Sequence, residues 1–87
     1  MYLHLGQNVM VRNRDIIGIF DLDNTTWSFR TRRLLERAER EGRVASIGED
    51  LPRSFVLAED RAGTPTVYLT PLSPAALAAR AERNSFE

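Results

Sequence analysis

Apolar residues in this 87-residue chain recur in short segments with the spacing of β-strands. Residues 2–5 and 9–11 flank a Gly-Gln-Asn sequence, which is typical of a tight turn, and together predict a hairpin. Residues 16–22 are almost entirely apolar. Because strands buried on both faces show such continuous runs, this segment predicts the central strand of a sheet. Further short strands are predicted at 43–47, 54–58 and 66–70.

The segment 29–41 has the apolar spacing of an amphipathic helix. Leu34, Leu35 and Ala38 fall on one face, charged residues cover the remainder, and Gly42 stands where helices commonly end in a left-handed residue. Glutamates are interleaved with the arginines of this segment and would repel phosphate. The charged face is therefore interpreted as a solvated surface in preference to one that reads nucleic acid.

A second, alanine-rich helix is predicted to begin at Ser73 and Pro74. Ser can cap the free amides of a first helical turn, and Pro fits the first helical position because its missing N–H is not needed there. The pattern as a whole predicts one α+β domain over residues 1–83, followed by a flexible tail at 84–87. Its expected architecture is a small, mainly antiparallel sheet of about five to six short strands with two helices.

The composition limits the chemistry available to the chain. There is no cysteine and only one histidine, His4, so thiolate and transition-metal sites are not expected. His4 is also the only conventional base for a Ser or Thr nucleophile, so nucleophilic catalysis is not expected. No apolar run approaches the ~20 residues of a membrane span, and the N-terminus lacks a signal-peptide layout. We expect a cytoplasmic protein without membrane contact, metal, cofactor or small-molecule substrate.

Charge is balanced overall but unevenly distributed. All twelve basic residues are arginines, and twelve acids balance them to a net charge of zero. The chain therefore lacks the excess of positive charge that is the simplest indication of nucleic-acid binding. The first 43 residues nevertheless carry eight arginines against six acids. The planar guanidinium grips phosphate at two points, so this inventory suits phosphate contact, although genomic base composition would give the same inventory.

The sequence Asp21-Leu22-Asp23-Asn24-Thr25 resembles the nucleophile motif of haloacid-dehalogenase-type phosphohydrolases. Such a reading would make Asp21 the nucleophile and Asp23 the general acid. The chain is too short for a doubly wound domain, however, and it contains no Lys and no paired Asp-Asp motif. The segment is therefore interpreted as a strand end and a turn at Asp23 and Asn24, and no catalytic residue is expected.

Four stretches together resemble the RemA/RemB family of bacterial extracellular-matrix regulators, and its RemB branch in particular. The similar stretches occur in the same order over nearly the whole chain. The length of the chain and its closing helix also agree with the family. It implies a small DNA-binding regulator of biofilm-matrix genes that assembles into a homo-oligomeric ring. The stretches are MYLHLG at residues 1–6, RDIIGIFD at 14–21, PRSFV at 52–56 and VYLTPLS at 67–73, the last followed by Leu77 and Arg80.

The resemblance implies that loop arginines hold the phosphate backbone of double-stranded DNA. Arg53 aligns with one residue of the family's loop cluster, and Arg14 lies beside the position of its turn arginine. Arg12 belongs to the same turn and would point to the same side as Arg14 if the backbone were extended there. The predicted DNA-binding residues are therefore Arg53, Arg14 and Arg12.

Three positions that are arginine in the RemA branch differ in this chain. Asp15 replaces the turn arginine, and Asp50 and Leu51 replace two residues of the loop cluster. These differences leave a second hypothesis open. On that hypothesis the chain is an oligomeric scaffold or protein-interaction subunit of the same family that does not bind DNA.

Overall fold

The computed structural model describes residues 2–23 and 29–84. It has the predicted α+β fold, with six strands and two α-helices within that part of the chain. The elements are β1 (Tyr2–Gly6), β2 (Val9–Arg12), a 3₁₀ helix (Asn13–Asp15), β3 (Ile16–Asp21), α1 (Phe29–Arg40), β4 (Val44–Ser46), β5 (Ser54–Glu59), β6 (Pro65–Thr70) and α2 (Pro74–Asn84).

The strands divide between two sheets. Strands β1 and β2 form the predicted antiparallel hairpin, and Gln7 and Asn8 at its turn have positive φ angles of 50° and 65°, as a two-residue hairpin turn requires. The other four strands follow the order β3-β5-β6-β4. Strands β3, β5 and β6 are antiparallel, whereas β4 runs parallel to β6, so this sheet is mixed but mainly antiparallel.

The prediction that the apolar run at 16–22 forms the central strand is wrong. Strand β3 lies at an edge of the four-stranded sheet, and among the strands of residues 2–23 and 29–84 its one partner is β5, which occupies an interior position. The pairing shifts register between Ile16 and Gly18, and Ile17 at this bulge is 54% exposed. Ile19 and Phe20 are apolar because layers on both sides of the sheet reach this edge: Ile19 faces one core cluster and Phe20 the other.

Each face of the four-stranded sheet carries its own apolar cluster. Successive β5 residues alternate between them, with Phe55 and Leu57 on one face and Val56 and Ala58 on the other. The hairpin and α2 cover the face of Val56, and α1 covers the face of Phe55. The fold therefore has three layers. The first cluster is Leu3, Leu5, Val11, Ile47, Val56, Ala58 and Leu77, and the second is Ala38, Phe55, Leu57 and Val67.

Both predicted helices are confirmed. Leu34 and Leu35 pack with Ala38 in the second cluster, and Gly42 beyond the helix end has a φ of +70°. The Ser73 hydroxyl accepts a hydrogen bond from the Ala76 N–H at 3.1 Å, which is the predicted cap of α2. This helix reaches one residue into the predicted tail, and residues 85–87 lie outside the described part of the chain.

A buried hydroxyl joins the hairpin to the larger sheet. Thr70 is fully buried at the end of β6, and its Oγ1 donates a hydrogen bond to the Leu5 carbonyl at 2.8 Å. The same oxygen accepts from the Leu72 N–H at 3.2 Å. One side chain thus satisfies a carbonyl of β1 and an amide of the turn before α2.

Replacing this hydroxyl by a methyl group should weaken the fold. Thr70→Val keeps the shape of the side chain but leaves the Leu5 carbonyl and the Leu72 amide unpaired, so the free energy of unfolding should fall by about 1–3 kcal/mol in urea denaturation. Thr66→Val on the half-buried start of β6 is the matched control and should change it by less than about 0.5 kcal/mol. Equal losses in both variants would contradict the role of the Thr70 hydroxyl.

Candidate nucleic-acid interface

The backbone of Arg53 is fixed between the ends of two strands. Its N–H donates to the Thr70 carbonyl at 2.9 Å, and its carbonyl accepts from the Leu22 N–H at 3.0 Å. The side chain is 60% exposed, and its Nε lies 3.9 Å from Oδ2 of Asp23, which is 62% exposed. Ion pairs this open to water contribute little, so the guanidinium stays accessible to an anion.

The two aspartates after β3 form the predicted turn. Oδ1 of Asp21 accepts a hydrogen bond from the Asp23 N–H at 2.8 Å, the local geometry by which Asp residues close turns. Asn24, also predicted in this turn, lies outside the described residues. Across residues 2–23 and 29–84, no group of three or more His, Cys, Asp or Glu side chains is arranged to hold a metal ion.

The turn between β2 and β3 separates two of the predicted arginines by a 3₁₀ helix. Arg12 is the last residue of β2, and Asn13–Asp15 then coil, so the extended geometry that would align Arg12 with Arg14 is absent. Nε of Arg12 donates to Oδ2 of Asp15 at 3.0 Å, and both side chains are 25% exposed. Arg14 is exposed. Of these two arginines, Arg14 is the one that faces solvent freely.

Arg14 and Arg53 lie at opposite ends of the β3–β5 ladder. Ile16 pairs with Ala58 near one end, and Asp21 pairs with Ser54, the neighbour of Arg53, at the other. Six residues of strand span roughly 17 Å, so one copy of the fold does not bring the two guanidinium groups together. Any phosphates that they contact must be separate ones.

A pocket of about 330 Å³ lies where the hairpin meets the ends of β5 and β6. Its walls combine aromatic and apolar side chains with three acids and one arginine, an excess of negative charge that disfavours phosphate. Because these residues come from four separate segments of the chain, no local pattern indicated the pocket. It is lined by Tyr2, Met10, Val11, Arg12, Asp15, Ala58, Glu59, Asp60, Thr66 and Tyr68.

The loop before Arg53 carries negative charge. Glu49 and Asp50 are exposed, and Leu51 is 88% exposed. These acids lower the local positive potential around Arg53. Asp50 and Leu51, two of the residues behind the scaffold hypothesis, therefore lie on the surface, whereas Asp15 is only partly exposed beside Arg12.

Comparison with known proteins adds no assignment. No protein-family model matches the chain, and no curated protein matches it. Neither helix of the described residues combines the length and the apolarity needed to cross a membrane.

Proposed function

We propose that this protein is an oligomeric regulator that binds the phosphate backbone of double-stranded DNA, with Arg53 and Arg14 as the principal contacts. The observation that carries the proposal is the accessible Arg53 guanidinium on a backbone held by two strands. The resemblance to the RemA/RemB family supports the same assignment and suggests control of extracellular-matrix genes. Arg12, paired with Asp15 beside the acidic pocket, is at most a minor contact on this proposal.

The environment of Arg53 favours exchange of its present partner for a phosphate. The Asp23 carboxylate is 3.9 Å away, beyond the distance of a charge-assisted hydrogen bond. A phosphate oxygen would accept two-point bonds from the guanidinium. The fixed backbone reduces the ordering that such a contact would require.

Two exposed arginines on a neutral chain would give weak binding, so the proposal includes self-association. The strand between their two ends is roughly 17 Å long, about five base pairs at 3.4 Å each, so one copy would touch two well-separated phosphates. Repetition of the pair around a ring would multiply these contacts. Linked weak sites gain avidity without any new type of contact.

The open edge of β3 offers a surface for such assembly. A strand edge carries unpaired N–H and C=O groups, and proteins usually guard it with Lys, Pro or charged side chains. Residues 16–20 contain none of these, and Ile17 is 54% exposed, although its bulge twists the start of the edge. Strand β4 lies at the other edge, so pairing of unlike edges would join copies head to tail, as a ring requires.

A second candidate function shares the self-association but not the DNA binding. The exposed acids Glu49 and Asp50 before Arg53 and the engagement of Arg12 by Asp15 favour an oligomeric scaffold that binds proteins. The two candidates differ in whether the arginines meet phosphate. Salt dependence separates them.

Loss of the loop arginines should weaken DNA binding and its dependence on salt. For the wild type, log affinity for a duplex should fall linearly with log salt between about 50 and 200 mM. The Arg14→Gln/Arg53→Gln variant should reduce the slope by about 0.9 for each lost phosphate contact, measured by fluorescence anisotropy. Arg32→Gln/Arg61→Gln removes the same charge from other exposed positions and should bind as the wild type.

A stable oligomer that does not bind duplex DNA at about 50 mM salt would contradict the DNA-binding proposal and favour the scaffold. Equal losses in the loop and control variants would show that net charge alone governs binding. In that case Arg14 and Arg53 would not be specific contacts.

A charge on the β3 edge should disrupt assembly. Ile17→Lys places an ammonium group beside the unpaired strand edge, and the solution mass measured by light scattering should fall toward that of one chain. Met10→Lys changes a hairpin residue that is 52% exposed and should keep the wild-type mass. Identical masses for the two variants and the wild type, with unchanged circular dichroism, would exclude the β3 edge as the interface.

A further inference from the structure

Helix α1 is the most positively charged element of the described chain. It contains five arginines and two glutamates, a net charge of +3 on a protein whose total charge is zero. All five arginines are exposed. The positive charge that overall composition hides is therefore concentrated on one helix.

Four of these arginines form a single line along the helix. At about 100° per residue, Arg30, Arg33, Arg37 and Arg40 fall within an arc of about 80° and extend over about 15 Å of the axis. This arc lies away from the positions that pack in the second core cluster. We call these four residues the α1 arginine stripe.

The glutamates of α1 lie outside this arc. Around the helix, Glu36 is about 40° beyond the edge of the stripe, and Glu39 is about 100° beyond it. The nearest carboxylate in contact is that of Glu41, after the helix, whose Oε1 accepts from Nε of Arg37 at 3.1 Å. Glu41 also pairs with Arg43, so its charge is shared. The charged face of α1 is exposed, as predicted, but its glutamates lie to one side of the stripe.

The start of α1 is arranged against its own dipole. The positive end of a helix favours acidic side chains, yet the first turn of α1 has none, and Arg30 and Arg33 stand close to it. Their charges add to the positive end of the helix dipole. A bound anion would offset this accumulation of positive charge.

An exposed aromatic ring borders the stripe. Phe29 is 72% exposed, and the guanidinium carbon of Arg33 lies 5.4 Å from the centre of its ring. The contact orients the Arg33 guanidinium at the surface without neutralising it. A charged group held beside an apolar ring is suited to a ligand that has both phosphates and flat bases.

We infer that the α1 arginine stripe binds the phosphodiester backbone of nucleic acid as a second contact surface besides the loop arginines. The inference rests on the proposed function, because both assign nucleic acid as the ligand. A stripe of about 15 Å matches the axial spacing of several phosphates of one strand. Sequence recognition is not implied, since backbone contacts carry none.

The test compares three variants that each remove two positive charges. Arg33→Gln/Arg40→Gln removes half of the stripe without breaking the Arg37–Glu41 bond, Arg14→Gln/Arg53→Gln removes the loop contacts, and Arg32→Gln/Arg61→Gln is the control. Gln is a good helix former, so α1 should persist, which circular dichroism verifies. Binding of the full chain to labelled duplex and single-stranded DNA is measured at several salt concentrations.

The stripe variant should bind on the order of tenfold more weakly than the control at about 0.1 M salt, with a salt slope smaller by about 1.8 on duplex DNA. Stronger loss on single strands than on duplex would indicate stacking on Phe29, which Phe29→Leu should then reproduce. Either result supports nucleic-acid contact by the stripe.

Two results would overturn the inference, and they differ in what they imply for the proposed function. If the stripe variant binds as the control does and the loop variant loses binding, the stripe is not a contact surface. The proposed contacts of Arg14 and Arg53 then stand. If the wild-type protein binds neither duplex nor single-stranded DNA, both the proposed function and this inference are wrong. If that protein binds vesicles of anionic lipid and the stripe variant does not, the stripe serves a membrane surface instead of nucleic acid.

Discussion

The burial of β5 on both faces is the constraint on which the rest of the structure depends. Residues 54–58 are all buried, with β3 hydrogen-bonded on one side and β6 on the other. A strand of this kind is stable only if two separate layers cover it. The hairpin with α2 supplies one layer and α1 the other, so a chain of 87 residues devotes nearly every element to enclosing a single strand.

Local features of the fold could be predicted from the sequence, and long-range pairing could not. The hairpin turn at Gln7 and Asn8, the Ser73 cap and the helix stop at Gly42 follow from backbone preferences that neighbouring residues determine. The run at 16–22 and that at 54–58 are both apolar. Neither segment alone indicates which of the two has a neighbouring strand on both sides. That depends on pairing with β6, which lies later in the chain.

The same division applies to the candidate site. Sequence placed Arg53 and Arg14 in loops correctly, but their separation along the β3–β5 ladder and the bond from Arg12 to Asp15 exist only in three dimensions. The α1 arginine stripe could have been found from the sequence. The stripe appears when the charges are assigned angles around the helix, whereas along the chain glutamates are interleaved with the arginines.

The hydrogen bond from Thr70 to Leu5 joins residues 65 positions apart, and this has a consequence for folding during synthesis. The hairpin can form within microseconds of leaving the ribosome, because its contacts are local. Its apolar face cannot dock until β6 and α2 have been made, several seconds later at ordinary rates of translation. The nascent chain therefore exposes the apolar side chains of Leu3, Leu5 and Val11 throughout that interval, when they are open to aggregation with other chains.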